Sequence, residues 1–291
     1  MRPWTVNERA AALYSSIVLD RAELLARRMT GRAITRAIDS GQLRRLRRDR
    51  YAIEPVDPDI AEAVRIGGRL SCISLLSQIG VFVHVVDALH VHVVPGSSRI
   101  RPPRSRRTIL HWQSWSGQPS PLHVAPLADA VAQAIRCQAP RASVATVDSV
   151  LHHGLMTREE VILMFSQLPV RFRPLLALID ASAGSGPETF MRLILRALGV
   201  AFETQVLIEG VGRVDFLVEG WLIIECDSKE FHEGWAKQVD DRRRDMAAAM
   251  QGYVTIRPLA VDILRNDPTV RQAVAEVIRV MGPRFRPTTR S

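Results

Sequence analysis

The chain has 291 residues, 47% hydrophobic and 24% charged, so it is long enough for two or three globular domains and too apolar for a disordered protein. Its apolar runs fall short of the roughly 18–20 residues that a membrane-spanning helix needs. Its first residues, MRPWTVNERAA, have neither the apolar core nor the cleavage site of a signal peptide. The cysteines stand singly and far apart, at Cys72, Cys137 and Cys226, which argues against a disulfide framework and a CxxC zinc knuckle. We expect a soluble, cytoplasmic protein without membrane contacts.

The charge of the chain favours an anionic partner. The formal net charge is +9 and the pI is about 10.5, and Lys229 and Lys237 are the only lysines among the 39 basic residues. Arginine presents a planar fork that matches phosphate oxygens, so a basic surface of this kind favours nucleic acid. A GC-rich genome would also enrich arginine, so bulk charge alone supports DNA binding only modestly.

Residues 1–54 carry a helical pattern followed by a hairpin pattern. NERAAALYSSI and LDRAELLARRM predict two amphipathic helices, the second with Asp20 and Glu23 at the spacing of a capping box. Residues 31–40, GRAITRAIDS, predict a third helix that Gly41 ends. LRRLRRDRYAI then alternates apolar and arginine residues about a turn, which is typical of a two-stranded wing. This order predicts a winged helix-turn-helix domain with residues 31–40 as its recognition helix.

The exposed arginines of this domain are the candidate nucleic-acid contacts. They are two residues of the recognition helix and three of the wing: Arg32, Arg36, Arg47, Arg48 and Arg50. A small helical interaction domain with a solvated basic face is the alternative. The stretch AELLARRMTGRAITRAIDSGQLRRLRRDRYAI resembles the N-terminal domain of the AbiEi family of type IV antitoxins. This resemblance covers only residues 1–54 and implies DNA binding, with a cognate toxin or another protein as a further partner.

Residues 55–182 predict a mixed α/β middle domain. AEAVRIGG, LSCISLLSQIG, PLADAVAQAIRCQ and TREEVILMFSQL are helical in pattern, and ALHVHVVP and RTILHW are strand-like. His90 and His92 point the same way from a strand and could hold a metal ion. Because no third ligand has a suitable spacing, we interpret them as ordinary strand-face residues. The arginine-rich loop at 99–107 either contacts phosphates or is solvated.

Residues 183–291 predict a further domain of α–β–β–β–α–β–α order, which is typical of a restriction-endonuclease-like α/β/α core. Within it, Asp215 ends one strand and Glu225 ends the next, after a turn at Glu219–Gly220. An antiparallel hairpin with that turn places the two carboxylates opposite each other. Their repulsion would be relieved by a divalent cation that prefers oxygen ligands, Mg²⁺ above all. The sequence therefore predicts a metal site at this end of the hairpin.

The candidate site includes two further residues, which follow Glu225 in the chain. Strand periodicity puts Asp227 on the same face as Glu225. His232 follows, and histidine has an unperturbed pKa that suits proton transfer near neutral pH. The alternative is that this acidic cluster is a solvated charge cluster or a salt-bridge network with neighbouring arginines.

The strings VDFLVEG–WLIIECDSKEFH and DDRRRDMAAAMQGYVTIRPL resemble the very-short-patch-repair (Vsr)-like endonuclease superfamily, in particular its bacterial domain of unknown function with a PD-(D/E)XK core. The resemblance spans roughly residues 186–265. It implies an endodeoxyribonuclease that hydrolyses phosphodiester bonds with Mg²⁺ or Mn²⁺. Asp215, Glu225 and the backbone carbonyl of Cys226 would be the metal ligands, with Glu188 supporting them.

The same resemblance assigns roles to the remaining charged residues. Asp227 and His232 fall on catalytic positions of the superfamily. Asp241, Arg244 and Arg257 match its charged helix and final strand, and we count the two arginines as candidate phosphate contacts. The charged residues of the helix can equally form ordinary ion pairs one turn apart; they are Asp241, Arg243, Arg244 and Asp245.

The chain also departs from the family pattern. Ser228 stands where the family has glycine, and Lys229 stands where the family has no lysine. The zinc-binding cysteines of the mismatch-repair enzyme are absent, so mismatch specificity is not implied. The alternative function is a transcriptional regulator or type IV antitoxin-like protein that retains a catalytically silent nuclease fold.

Overall fold

The computed structural model describes residues 3–15, 17–104, 107–114, 116–226, 235–265 and 268–285, without the side chains of 235–238 and 283–285. It confirms the predicted mixed α/β class. The chain divides into two compact units, Met1–Ala177 and Leu178–Ser291. Among the helices of the described ranges, none combines the length and apolar character that crossing a bilayer would require.

The N-terminal unit begins with three helices and a small antiparallel sheet. Their bounds are α1 Val6–Leu13, β1 Val18–Leu19, α2 Arg21–Ala26, α3 Gly31–Asp39, β2 Leu43–Arg47 and β3 Arg50–Ile53. The strand order is β1–β3–β2, so the predicted hairpin is joined by β1, a short strand that the sequence pattern did not indicate.

Local signals account for these elements. Asp20 accepts a hydrogen bond from Glu23 N in a capping box at the start of α2, as its spacing predicted. Thr30 caps α3, and Gly41 follows it with φ +75°. Ile34 and Ala37 of α3 pack in a core with residues of α2 and the sheet, so the opposite face of α3 is exposed.

The rest of this unit packs helices around a second sheet. The bounds are α4 Pro58–Ile66, β4 Arg69–Leu70, α5 Cys72–Ile79, β5 Leu89–Val93, β6 Thr108–Trp112, α6 Leu127–Cys137, α7 Pro140–His152, α8 Arg158–Gln167 and a 3₁₀ segment, Val170–Leu178. The strand order is β4–β5–β6, with β5 and β6 parallel. Every residue of β5 is buried, because the strand lies in the centre of the sheet.

The C-terminal unit contains a four-stranded sheet and flanking helices. The bounds are α9 Gly186–Leu198, β7 Phe202–Ile208, β8 Gly212–Val218, β9 Leu222–Ile224, α10 Trp235–Met250, β10 Val254–Ile256, α11 Ala260–Arg265 and α12 Pro268–Phe285. The order is β10–β9–β8–β7; β7, β8 and β9 are antiparallel, and β10 runs parallel to β9.

The β8–β9 turn fixes the register of the two central strands. Glu219 and Gly220 have φ of +50° and +74°, and Trp221 N donates to Val218 O over 3.1 Å, as in a type I′ turn. Strand β9 is buried along its whole length. The hairpin is therefore both tightly turned and anchored in the core, so it gives a rigid support to the residue directly after Ile224.

Candidate functional site

Asp215 and Glu225 lie at the same end of the β8–β9 hairpin. Phe216 pairs with Ile224, so the next position along the ladder brings Asp215 opposite Glu225. Oδ2 of Asp215 accepts a 2.8 Å hydrogen bond from Cys226 N. The register that follows from the turn thus brings the two carboxylates together, but the prediction that Asp215 ends its strand is wrong, because β8 continues past it to Val218.

Glu188 is tied to this pair through a glutamine. It lies in the first turn of α9, and its Oε2 accepts from Nε2 of Gln205 over 2.9 Å and from Gly184 N over 2.9 Å. Nε2 of Gln205 also contacts Oδ1 of Asp215 at 3.4 Å. Gln205 has a φ of +54°, an uncommon conformation for a residue with a side chain. Sequence reasoning missed Gln205, since nothing in a single strand sequence shows which side chain will face a partner strand.

The electrostatics of the site are those of crowded acids. Burial, and then the charge of Glu188, raise the pKa of Asp215 against the hydrogen bond from Cys226. Burial likewise raises the pKa of Glu225; Arg257 and Arg244 oppose the shift, and Asp215 adds to it. Burial and these three carboxylates raise the pKa of the Cys226 thiol, which is therefore neutral. Burial is thus the first cause of all three raised pKa values, and neighbouring carboxylates add to it.

Two arginines hold Glu225. Nη2 of Arg244 donates to Oε1 over 3.1 Å, and Nη1 of Arg257 donates to Oε2 over 2.8 Å. Arg257 also donates to Oδ1 of Asp245 over 2.7 Å, and Arg244 donates to two backbone carbonyls, that of Val211 over 2.9 Å among them. The sequence predicted both arginines as phosphate contacts, but in the structure their guanidinium groups bind protein oxygens. A salt-bridge network is therefore part of the site.

The acidic side chains at this end of the sheet are of the type that a hard cation binds. Carboxylate oxygens are ligands that Mg²⁺ and Mn²⁺ take, and Asp215, Glu188 and Glu225 each carry a carboxylate. Burial is the main cause of the raised pKa values of the two strand carboxyls, and a neighbouring carboxylate adds to each. The two further catalytic candidates, Asp227 and His232, lie outside the described residues, as do Ser228 and Lys229.

A basic cavity of about 580 Å³ lies in the N-terminal unit, between the wing and the β4–β6 region. Its arginines come from both parts: Arg47, Arg48, Arg50, Arg69, Arg99 and Arg101. Burial, and then neighbouring arginines, lower the pKa of Arg47, and burial followed by Arg50 lowers that of Arg69 to about 10.

The concentration of like charge makes this cavity a candidate anion site. All three predicted wing arginines line it, as do Arg99 and Arg101 of the arginine-rich loop, whereas Arg69 was missed because its proximity to the wing depends on tertiary packing. The predicted helix contacts, Arg32 and Arg36, are exposed on α3 and do not line the cavity.

A group of sulfur and nitrogen ligands was also missed. Cys72, His90, His111 and Cys137 lie together in the N-terminal unit, although no spacing in the sequence links them. Contact with the Cys72 thiol, and then with His111 and His90, lowers the pKa of Cys137, while burial acts in the opposite direction. His92, the other histidine singled out from the sequence, instead lies 2.6 Å from Nε2 of Gln133 through its Nδ1.

Comparison of the chain with protein-family models finds no match, and comparison with curated proteins finds none either.

Proposed function

We propose that this chain is a DNA-binding, metal-dependent endonuclease-like protein that hydrolyses phosphodiester bonds. The observation that supports the proposal is the grouping of Asp215, Glu225 and Glu188 at one end of the C-terminal sheet, with raised pKa values at the first two. Grouping three acids in the folded chain without a cation lowers its stability. We therefore expect such a grouping in a protein that binds a cation there. The Vsr-like resemblance and the restriction-endonuclease-like order of elements point to the same chemistry.

The residues have distinct roles in this proposal. Asp215, Glu225 and the carbonyl of Cys226 would hold Mg²⁺ or Mn²⁺, with Glu188 supporting them. Bound there, the ion would polarise a phosphate oxygen and activate a water molecule. Gln205 orients Glu188 and Asp215 through one amide group.

The remaining side chains would position groups and move protons. Arg244 and Arg257 fix the direction of the Glu225 carboxylate. Asp227 or His232 would accept the proton of the attacking water, a role that we assign from the sequence alone.

The N-terminal unit would supply most of the affinity for DNA. Exposed Arg32 and Arg36 lie one turn apart on α3, where a recognition helix of a winged helix-turn-helix presents its contacts. The basic cavity beside the wing concentrates positive charge that phosphate groups would neutralise. Each such contact releases counterions, so binding is expected to weaken steeply with salt.

One observation favours a second candidate function, a transcriptional regulator or antitoxin-like protein with a silent nuclease fold. Both carboxylate oxygens of Glu225 accept hydrogen bonds from arginine, at 3.1 and 2.8 Å. A ligand carboxylate that is already neutralised has less to gain from a metal ion. Such a protein would bind an operator, and its further partner would be a cognate toxin.

The experiment that tests the proposal compares the purified wild-type chain with the Asp215→Asn, Glu225→Gln double variant. Supercoiled plasmid and short duplexes are incubated with Mg²⁺ or Mn²⁺ at concentrations where the protein binds them. We expect wild-type nicking or cleavage, a loss of about 10²-fold or more in the double variant, and unchanged DNA affinity.

The matched control is Asp240→Asn, which removes an exposed carboxylate of α10 that pairs with Arg243 in the same unit. It should cleave as the wild type does. Equal cleavage by the double variant would identify a contaminating nuclease. Binding without any cleavage by the wild type in either metal would favour the regulator.

A further inference from the structure

Four metal-ligating side chains converge in the N-terminal unit, in the part of the chain that the Mg²⁺ hypothesis does not involve. One ligand atom each from Cys72, His90, His111 and Cys137 lies within 4.8 Å of the other three. Nδ1 of His90 lies 3.0 Å from Nε2 of His111, and Sγ of Cys137 lies 3.8 Å from the same nitrogen. Two imidazoles and two thiols thus point at one common centre.

Four different elements deliver these side chains. Cys72 begins α5, His90 lies in β5, His111 lies in the parallel neighbour β6, and Cys137 ends α6. Residues this far apart in the chain meet only because the β5–β6 pairing and the packing of α5 on α6 bring them together. The meeting point is therefore a product of the tertiary fold rather than of a local motif.

Hydrogen bonds fix the frame around this centre. Ser71 N donates to His90 O over 3.1 Å, and Oγ of Ser71 donates to Oε1 of Gln133 on α6 over 2.6 Å. His90 N donates to Oγ of Ser74 on α5 over 2.9 Å. The strand and both helices that carry ligands are thus joined beside the ligands themselves, so the ligand positions are set in advance of any ion.

The donor set and its dimensions select the ion. Thiolate and imidazole ligands together suit Zn²⁺, and hard cations such as Mg²⁺ avoid sulfur. In a tetrahedral site with zinc–nitrogen distances of about 2.0–2.1 Å, two nitrogens stand roughly 3.3 Å apart. The His90–His111 separation of 3.0 Å and the Cys137–His111 separation of 3.8 Å come close to such a site with small adjustments.

We propose that Cys72, His90, His111 and Cys137 form a Cys₂His₂ zinc site that fastens β5 and β6 to α5 and α6. All four ligand positions are occupied by protein, so the site is closed and structural rather than catalytic. Cys72 and His90 are buried and Cys137 is exposed, so a chelator can reach the ion from one side. Nε2 of His90 is buried without a hydrogen-bond partner among the described residues, so we expect weaker binding than at sites whose histidines are held by a second group.

The test is the metal content of the full-length chain, purified under reducing conditions and analysed by inductively coupled plasma mass spectrometry. We expect about one zinc ion per chain. Replacing it with Co²⁺ should give the intense near-ultraviolet absorption of thiolate-to-cobalt charge transfer. Cys137→Ser, a substitution at an exposed helix end, should reduce zinc affinity by about tenfold or more and weaken that absorption.

Two controls locate the ion. Cys226→Ser removes the cysteine of the other unit and should leave zinc content and the cobalt spectrum unchanged. The Asp215→Asn, Glu225→Gln variant should also keep both, which separates this site from the proposed nuclease site. A wild-type chain that takes up neither zinc nor cobalt would overturn the proposal, as would a spectrum without thiolate bands or a Cys72–Cys137 disulfide in place of the metal.

Discussion

The burial that positions Asp215 also makes its ionised form costly. Burial and Glu188 raise the pKa of this carboxyl, so the folded unit binds the proton more readily than the unfolded chain does. The stabilising effect of that proton is fully present below the unfolded pKa and is lost as pH rises through the raised folded value. At neutral pH without divalent cations, the folded protein is therefore penalised by a charge that it retains.

We predict that Asp215→Asn stabilises the metal-free protein at pH 7 by about 0.5–2 kcal/mol, with a gain that shrinks as pH falls towards about 4. An asparagine oxygen can still accept from Cys226 N, so the hydrogen bond is kept. Urea denaturation at several pH values without added divalent cation measures the effect. Glu203→Gln, which neutralises an exposed acid of β7, is the control. A pH-independent loss of stability on Asp215→Asn would contradict the electrostatic account.

At the scale of elements, α3 and the wing present arginines in different ways. Helix α3 leaves Arg32 and Arg36 exposed because Ile34 and Ala37 take its other side into the core. The wing instead brings its arginines against those that precede and follow β5. Gly67 lies where Arg47 approaches: its φ of +118° disfavours any side chain, and a Cβ there would also make the end of the Arg47 side chain move, since it would lie 2.1 Å from Nη1.

We predict that Arg32→Ala with Arg36→Ala weakens duplex binding by about tenfold or more and lowers the salt slope by about one per lost phosphate contact. Titration of a labelled duplex at several salt concentrations measures both quantities. Arg171→Ala with Arg173→Ala removes the same charge from the exposed 3₁₀ segment and is the matched control. Equal losses in the two double variants would mean that net charge, rather than α3, governs affinity.

At the scale of the whole molecule, we propose that DNA binding and phosphodiester hydrolysis belong to different units. The basic cavity and α3 belong to Met1–Ala177, and the acidic site belongs to Leu178–Ser291. Effects of substitutions that share no partner are usually additive in free energy. If the roles are separate, a substitution in one unit should change DNA affinity by the same factor whether or not the other unit is also substituted.

We predict that Arg48→Ala with Arg99→Ala weakens DNA binding by the same factor in the wild type and in the Asp215→Asn, Glu225→Gln background, about threefold to tenfold. Binding isotherms at one fixed salt concentration give the two factors. A factor that depends on the background would show that the acidic site and the cavity are energetically coupled in DNA binding, and the separation would then be wrong.

A structural feature of this protein could be predicted from the sequence when its signal lies within a few neighbouring residues. Helix caps, the glycine after α3 and the turn at Glu219–Gly220 act over a few residues, and they are where the sequence places them. The Asp215–Glu225 pairing also follows, because a tight turn sets the register on both sides. The positions of Gln205, Arg69 and the Cys72 group depend on which distant segments pack together, and a single sequence carries no local signal of that.

The backbone of Cys72 has an evolutionary consequence. Its φ of +53° is left-handed, a conformation that costs a non-glycine residue roughly 1–2 kcal/mol. Glycine at this position would remove that conformational cost but would leave a cavity where the fully buried side chain packs. Descendants of this chain that lose His90, His111 or Cys137 should therefore tolerate glycine or alanine at position 72, while lineages that keep those three ligands should keep the cysteine.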